Sequence, residues 1–146
     1  MASGVRAVSK EPALSLTVER HTPNPRVRLV MAGKVDGDAV VAAFIGLYAE
    51  EPAAVFYDRL IDLTAYRSGF ELKHLQRIQA AYAAAAPTPG RPSRTAFVTR
   101  DVNFRLWVAS MAYQFSGREF RAFDGFDEAE VFLAVPLAER NPAANA

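Results

Sequence analysis

Asp58-Arg59-Leu60-Ile61-Asp62-Leu63-Thr64-Ala65-Tyr66-Arg67-Ser68-Gly69-Phe70-Glu71-Leu72 decides the fold of this chain. Leu60, Ile61 and Leu63 are nearly continuous apolar residues, as in a strand covered on both faces. Ser68 and Glu71 have the S-x-x-E spacing of a capping box, which predicts a helix opening near Gly69. Strand, loop and helix in that order make an α/β unit. The third strand is expected over 55–63, the loop to Gly69, and the second helix from about Gly69 to Ala86, ended by Pro87.

Upstream, Leu14, Leu16 and Val18 alternate with Ser15, Thr17 and Glu19. His21-Thr22-Pro23-Asn24-Pro25 is a turn, and 26–32 a second strand, so the chain opens with a hairpin. Asp36-Gly37-Asp38 begins a helix that carries Val40, Val41, Phe44, Leu47 and Tyr48 at helical spacing and stops at Pro52. Downstream, 95–99 is a fourth strand. Asp101 caps a third helix with the stripe Phe104, Trp107, Val108, Met111 and Phe115, closed by Ser116-Gly117. Residues 119–123 are a fifth strand and 126–134 a last helix. The expected class is α/β, with a mainly parallel sheet of about five strands, an N-terminal antiparallel hairpin and four helices. Residues 13–135 form a single domain between flexible tails at 1–12 and 136–146, which are small, polar and Pro-containing.

Composition narrows the function. The chain has 146 residues, ten Phe, no Cys and a net charge of +1. No basic run is present, so nucleic acid is not an expected partner. Absence of Cys excludes disulfides and thiolate chemistry. Two His without H-E-x-x-H spacing give no metal site, and no Gly-rich phosphate motif follows a strand, so no cofactor is expected. No apolar run approaches the ~20 residues of a membrane helix, and Met1–Val8 lacks the apolar core of a signal peptide. The expectation is a cytoplasmic protein without stable membrane insertion.

Three pieces of the chain resemble the SpoIIAA-like, STAS-type superfamily, in particular its small stand-alone bacterial members. They are Leu60-Ile61-Asp62-Leu63 with Tyr66 and Gly69, then Thr95-Ala96-Phe97-Val98-Thr99, then Glu119-Phe120-Arg121-Ala122-Phe123 with Asp127-Glu128-Ala129 and Phe132-Leu133. The resemblance covers roughly residues 14–134 and implies a sheet with helices mostly on one face. It also implies a non-enzymatic regulatory or protein-interaction module. In the superfamily's anti-sigma-factor antagonists a serine before the helix is phosphorylated. Here Arg67 stands at that serine's position and Ser68 matches its neighbour.

Candidate sites follow. The recognition loop comprises Asp62, Thr64, Tyr66, Arg67, Ser68 and Gly69, with Asp62 bracing it and Ser68 and Glu71 capping the helix. Arg67, Arg100 and Arg105 are candidate anion contacts at the carboxyl ends of the strands, where open α/β sheets bind ligands. Leu106, Ser110 and Tyr113 form a second stripe on the third helix and offer an interface to a protein partner or a second copy. Asp58 and Asp62 face the same side of one strand, and His74 is read on an exposed face. No catalytic constellation is present. The alternatives are a small apolar-ligand or anion-binding protein, with Phe44, Tyr48, Tyr82, Trp107 and Phe115 around a cavity, and a small enzyme using Asp62 and Arg67.

Overall fold

The computed structural model describes residues 6–7, 14–85, 93–111 and 118–140. Phe115, the Ser116-Gly117 helix end, Tyr113 and the Pro87 loop lie outside the described residues. Elements run β1 (Arg6–Ala7), β2 (Leu14–Glu19), β3 (Arg26–Lys34), α1 (Gly37–Glu50), β4 (Asp58–Ser68), α2 (Leu72–Ala85), β5 (Ser93–Val98), α3 (Val102–Met111), β6 (Arg118–Phe123) and α4 (Phe126–Ala134). Among the described residues the sheet has the order β1-β2-β3-β4-β5-β6. β1, β2 and β3 pair antiparallel, and β3 through β6 pair parallel. The five expected strands are all present, and the two-residue β1 extends the hairpin edge.

Alternation along the strands divides the core. Leu16, Leu29, Ile61, Leu63 and Phe97 pack with α1, α2 and α3 on one face. Leu60, Ala96 and Val98 pack with Ala129, Phe132 and Leu133 of α4 on the other. Successive side chains of a strand point to opposite faces, so β4 serves both clusters. Three helices therefore cover one face and α4 covers part of the other. α1 begins where the Asp36 carboxylate accepts from the backbone N–H groups of Asp38 and Ala39, at 3.0 and 3.4 Å.

The structure corrects four expectations. The stretch 52–56 is a 3-10 turn led by Pro52 rather than the start of a strand, and β4 begins at Asp58. β4 also runs on through the expected loop to Ser68, because its parallel ladder with β3 continues to Lys34↔Ser68. Between Val30↔Asp62 and Ala32↔Ala65, and again between Gly33↔Tyr66 and Lys34↔Ser68, β4 gains one residue on β3. Such bulges bend and twist a strand. The Ser68–Glu71 capping box does not form: α2 opens at Leu72, with the Glu71 carbonyl accepting from the N–H groups of His74 and Leu75. Finally, the ordered chain passes residue 135 into a 3-10 turn, Leu137–Glu139, and reaches Arg140, which is buried against Asp58.

Candidate functional site

The carboxyl end of the sheet is shaped by the overhang of β4. β4 pairs with β5 only from Arg59 to Asp62, while its pairing with β3 goes on to Ser68. Thr64, Ala65, Arg67 and Ser68 are exposed on this projecting end. Asp62 sits where β4 parts from β5. Its Oδ1 accepts from the Thr64 N–H at 2.9 Å and from the Thr64 hydroxyl at 2.7 Å. A side-chain acceptor thus satisfies an edge N–H that has lost its strand neighbour.

Tyr66 points back over the fold. Its hydroxyl oxygen accepts from the Phe70 N–H at 3.1 Å, and its ring lies edge-on to Phe104 at 5.9 Å. Phe104 meets Trp107, Trp107 meets Phe70, and Phe70 stacks on His74, with centroids 5.4–5.9 Å apart. This run of rings ties the β4 overhang to the starts of α2 and α3. Gly69 closes the overhang at φ +110°, and a Cβ there would lie 1.9 Å from the Val35 carbonyl oxygen. The Val35 N–H donates to the Ser68 carbonyl at 2.9 Å. Only glycine allows this turn and this approach.

His74 is buried, not exposed as its helix position suggested. Its Nδ1 accepts from the Glu71 N–H at 2.9 Å, the reach-back bond of a capping box made by an imidazole instead of a glutamate. Nε2 lies 3.5 Å from Asp38 Oδ1, and the ring fills the space beside Gly37, where a Cβ would come within 2.2 Å. Glu71, at the helix cap, cannot also sit at the third helical position, so His74 takes that role.

The three candidate anion contacts do not act as a cluster. Arg100 lines a cleft of about 290 Å³ with Thr64, Thr99 and Asp124. Arg105 is committed to Asp124, and its Nε donates to the Thr99 carbonyl at 3.2 Å. Arg67 stands apart on the β4 overhang and does not line that cleft. Among the described residues neither the Arg67 nor the Arg100 side chain has a hydrogen bond or ion pair. Asp101 caps α3, accepting from Asn103 N–H at 2.9 Å and Phe104 N–H at 3.3 Å. On α3, Leu106 and Val102 are 69% and 67% exposed, and the Ser110 hydroxyl is turned onto the Trp107 carbonyl at 2.8 Å. Leu72, at the start of α2, is 49% exposed. Asp58 and Asp62 are not a working pair: Asp58 is sealed with Arg140 while Asp62 holds Thr64. Among the described residues no group of three His, Asp or Glu is gathered as a metal would require.

Sequence reasoning missed a cluster deeper in the fold. Arg59 and Arg118 are 4% and 0% exposed. Arg59 donates to the Tyr48 hydroxyl and lies over the rings of Phe44, Tyr48 and Tyr82 at 4.9, 5.7 and 5.9 Å. Arg118 lies over the Tyr82 ring at 5.7 Å and donates to Thr95 Oγ1 at 3.1 Å and the Val55 carbonyl at 2.8 Å. Burial pushes the Arg118 guanidinium down to about 10, and the charge of Arg59 adds to that effect. The available signal was strand alternation, since Arg59 shares the buried face of Ile61 and Leu63.

No family model matches the sequence, and no curated protein matches it. The structure is similar to that of an uncharacterized protein of the DUF3478 family with a SpoIIAA-like fold, from Shewanella loihica PV-4. The TM-score is 0.56 at 15% identity, over 83% of this chain and 93% of that one. The fold is therefore SpoIIAA-like, α/β. The Pseudomonas malonate decarboxylase MdcD–MdcE heterodimer aligns over 92% of this chain and 65% of that one, at 13% identity and a TM-score of 0.44. That likeness is too loose to bear on function. Among the described residues no helix is long and apolar enough to cross a membrane.

Proposed function

We infer that this chain is a non-enzymatic protein-interaction module of SpoIIAA-like type, acting in the cytoplasm through the carboxyl end of its sheet. The observation that carries this reading is the β4 overhang. Leu63–Ser68 keeps β3 on one side and has no strand on the other among the described residues. Leu72 at the start of α2 and Val102 and Leu106 on α3 are exposed, as are Arg67 and Arg100, whose side chains have no ion pair or hydrogen bond among the described residues. Apolar side chains rimmed by arginine are the composition of protein interfaces. The matching partner surface has an apolar centre and acidic side chains around it.

Arg67 occupies the place of the phosphorylated serine in related regulatory proteins, so the charge offered here is fixed and positive. Ser68 lies on the strand end, four residues before α2 opens, away from the helix terminus that would favour a phosphate. The recognition role thus rests on shape and fixed charge.

Capture from lysate of the native cell tests the reading, with wild type compared to an Arg67→Glu, Leu106→Asp variant. A protein held by wild type and lost by the variant supports it. Identical eluates refute it. Sedimentation of the purified chain separates a second copy from a different protein as the occupant.

A further inference from the structure

Four described arginines are at least nine-tenths buried: Arg26, Arg59, Arg118 and Arg140. Two have carboxylate partners, Arg26 with Glu19 and Glu130, and Arg140 with Asp58. The other two have none among the described residues. Arg59 and Arg118 are held by a tyrosine hydroxyl, a threonine hydroxyl, a backbone carbonyl and aromatic faces, and the Nε of each has no acceptor. Two cations facing one Tyr82 ring repel each other in a medium that screens poorly. Cation–π contacts offset part of that cost. They do not supply the missing negative charge.

The same place holds a cavity. A space of about 40 Å³ lies between the sheet and α1–α3. Arg59 and Thr95, the residue that accepts from Arg118, line it together with Phe44, Ile61, Ile78 and Phe97. The wall is therefore apolar except at Arg59 and Thr95. A guanidinium is built for a planar, two-oxygen acceptor. The small apolar space suits a single short hydrocarbon arm.

We propose that Arg59, backed by Arg118 through Thr95, forms the head of a binding site for a small monocarboxylate, whose short apolar body occupies the cavity under α1–α3. Binding gives the buried Arg59 an ion-pair partner, offsets its repulsion with Arg118, and fills a void in the core. This site is internal and is distinct from the exposed overhang of β4. One can exist without the other.

Thermal unfolding of the full chain tests the site, with sodium propionate, propan-1-ol and sodium chloride compared at equal concentration and pH 7. The straight-chain acids from acetate to butyrate extend the series. Propionate is expected to raise Tm by about 3–6 °C at tenfold its Kd. The alcohol and chloride are expected to leave Tm within about 1 °C. Arg59→Met, which keeps the side-chain bulk and removes the charge, is expected to lose the shift. No shift with any acid of the series overturns the proposal. So does an equal shift with the alcohol, or an undiminished shift in Arg59→Met. If that variant does not fold, the acid-to-alcohol contrast in the wild-type chain decides alone.

Discussion

The Arg140 guanidinium grips the Asp58 carboxylate with both arms, each nitrogen 2.7 Å from its own oxygen, and the two side chains are 1% and 2% exposed. The same guanidinium donates to the Leu133 and Val135 carbonyls at 2.9 and 3.0 Å. Asp58 also accepts from the Arg94 N–H at 3.0 Å. One ion pair therefore pins the chain beyond α4 to the first residue of β4. Removing one partner leaves the other charged and buried.

Deletion of residues 136–146 is expected to cost about 3–5 kcal/mol of stability, the range for breaking a buried pair. Arg140→Met alone should show most of that loss. Urea unfolding of the three proteins checks it. A truncated chain as stable as wild type would contradict the finding.

Gly69→Ala forces a left-handed backbone onto an L side chain and drives its Cβ into the Val35 carbonyl. Strain alone contributes about 1–3 kcal/mol, and the clash adds to it. Equilibrium unfolding should show Gly69→Ala as much the more harmful of two changes, the other being Gly46→Ala in α1. A Cβ at Gly46 meets nothing within 4 Å, and alanine there gains helix propensity.

Ser68→Ala separates two local structures. A serine that caps α2 contributes about 1 kcal/mol. An exposed serine at a strand end changes stability by less than about 0.5 kcal/mol. The second outcome is expected, and His74→Ala, which removes the bond to the Glu71 N–H and a buried ring, should be the costly change in this turn.

Acid should weaken the clasp between the hairpin and α4. The Arg26 hydrogen bond holds the Glu130 carboxyl below the usual carboxylate range. A carboxylate depressed in the folded state contributes stability above its unfolded pKa of about 4.3, and that contribution is lost as pH falls through the folded value. Wild type should therefore lose more stability below about pH 4.3 than Glu130→Gln does. Glu130 is 45% exposed, so solvent screening keeps the difference small. Matching unfolding curves of wild type and variant between pH 7 and pH 3 provide the check.

Much of the fold was legible because period and punctuation agreed. Leu14, Leu16 and Val18 alternated, Asp36 and Asp101 stood as helix caps, and Phe126, Ala129, Phe132 and Leu133 kept helical spacing. The β4 overhang was not legible. Thr64-Ala65-Tyr66 breaks the alternation because bulges add a residue, and a bulge has no fixed residue signature in a parallel ladder. Arg140 was hidden for another reason: a lone arginine in a Pro-rich stretch reads as solvated until its buried carboxylate is known. The partition of His74 was likewise tertiary, since a neighbouring glycine, Gly37, made room for its ring. The stretch Asp62–Gly69 was expected as a loop, and its conformation as a strand to Ser68 comes from pairing with β3 and not from local sequence.

The most direct test of the proposed recognition surface is hydrogen–deuterium exchange of the chain alone and with a protein captured from lysate by the wild-type chain. Protection concentrated on the amides of 64–69 and 102–107 is predicted. Protection confined to α4 or to the β2–β3 hairpin, with 64–69 exchanging as in the free chain, would contradict it.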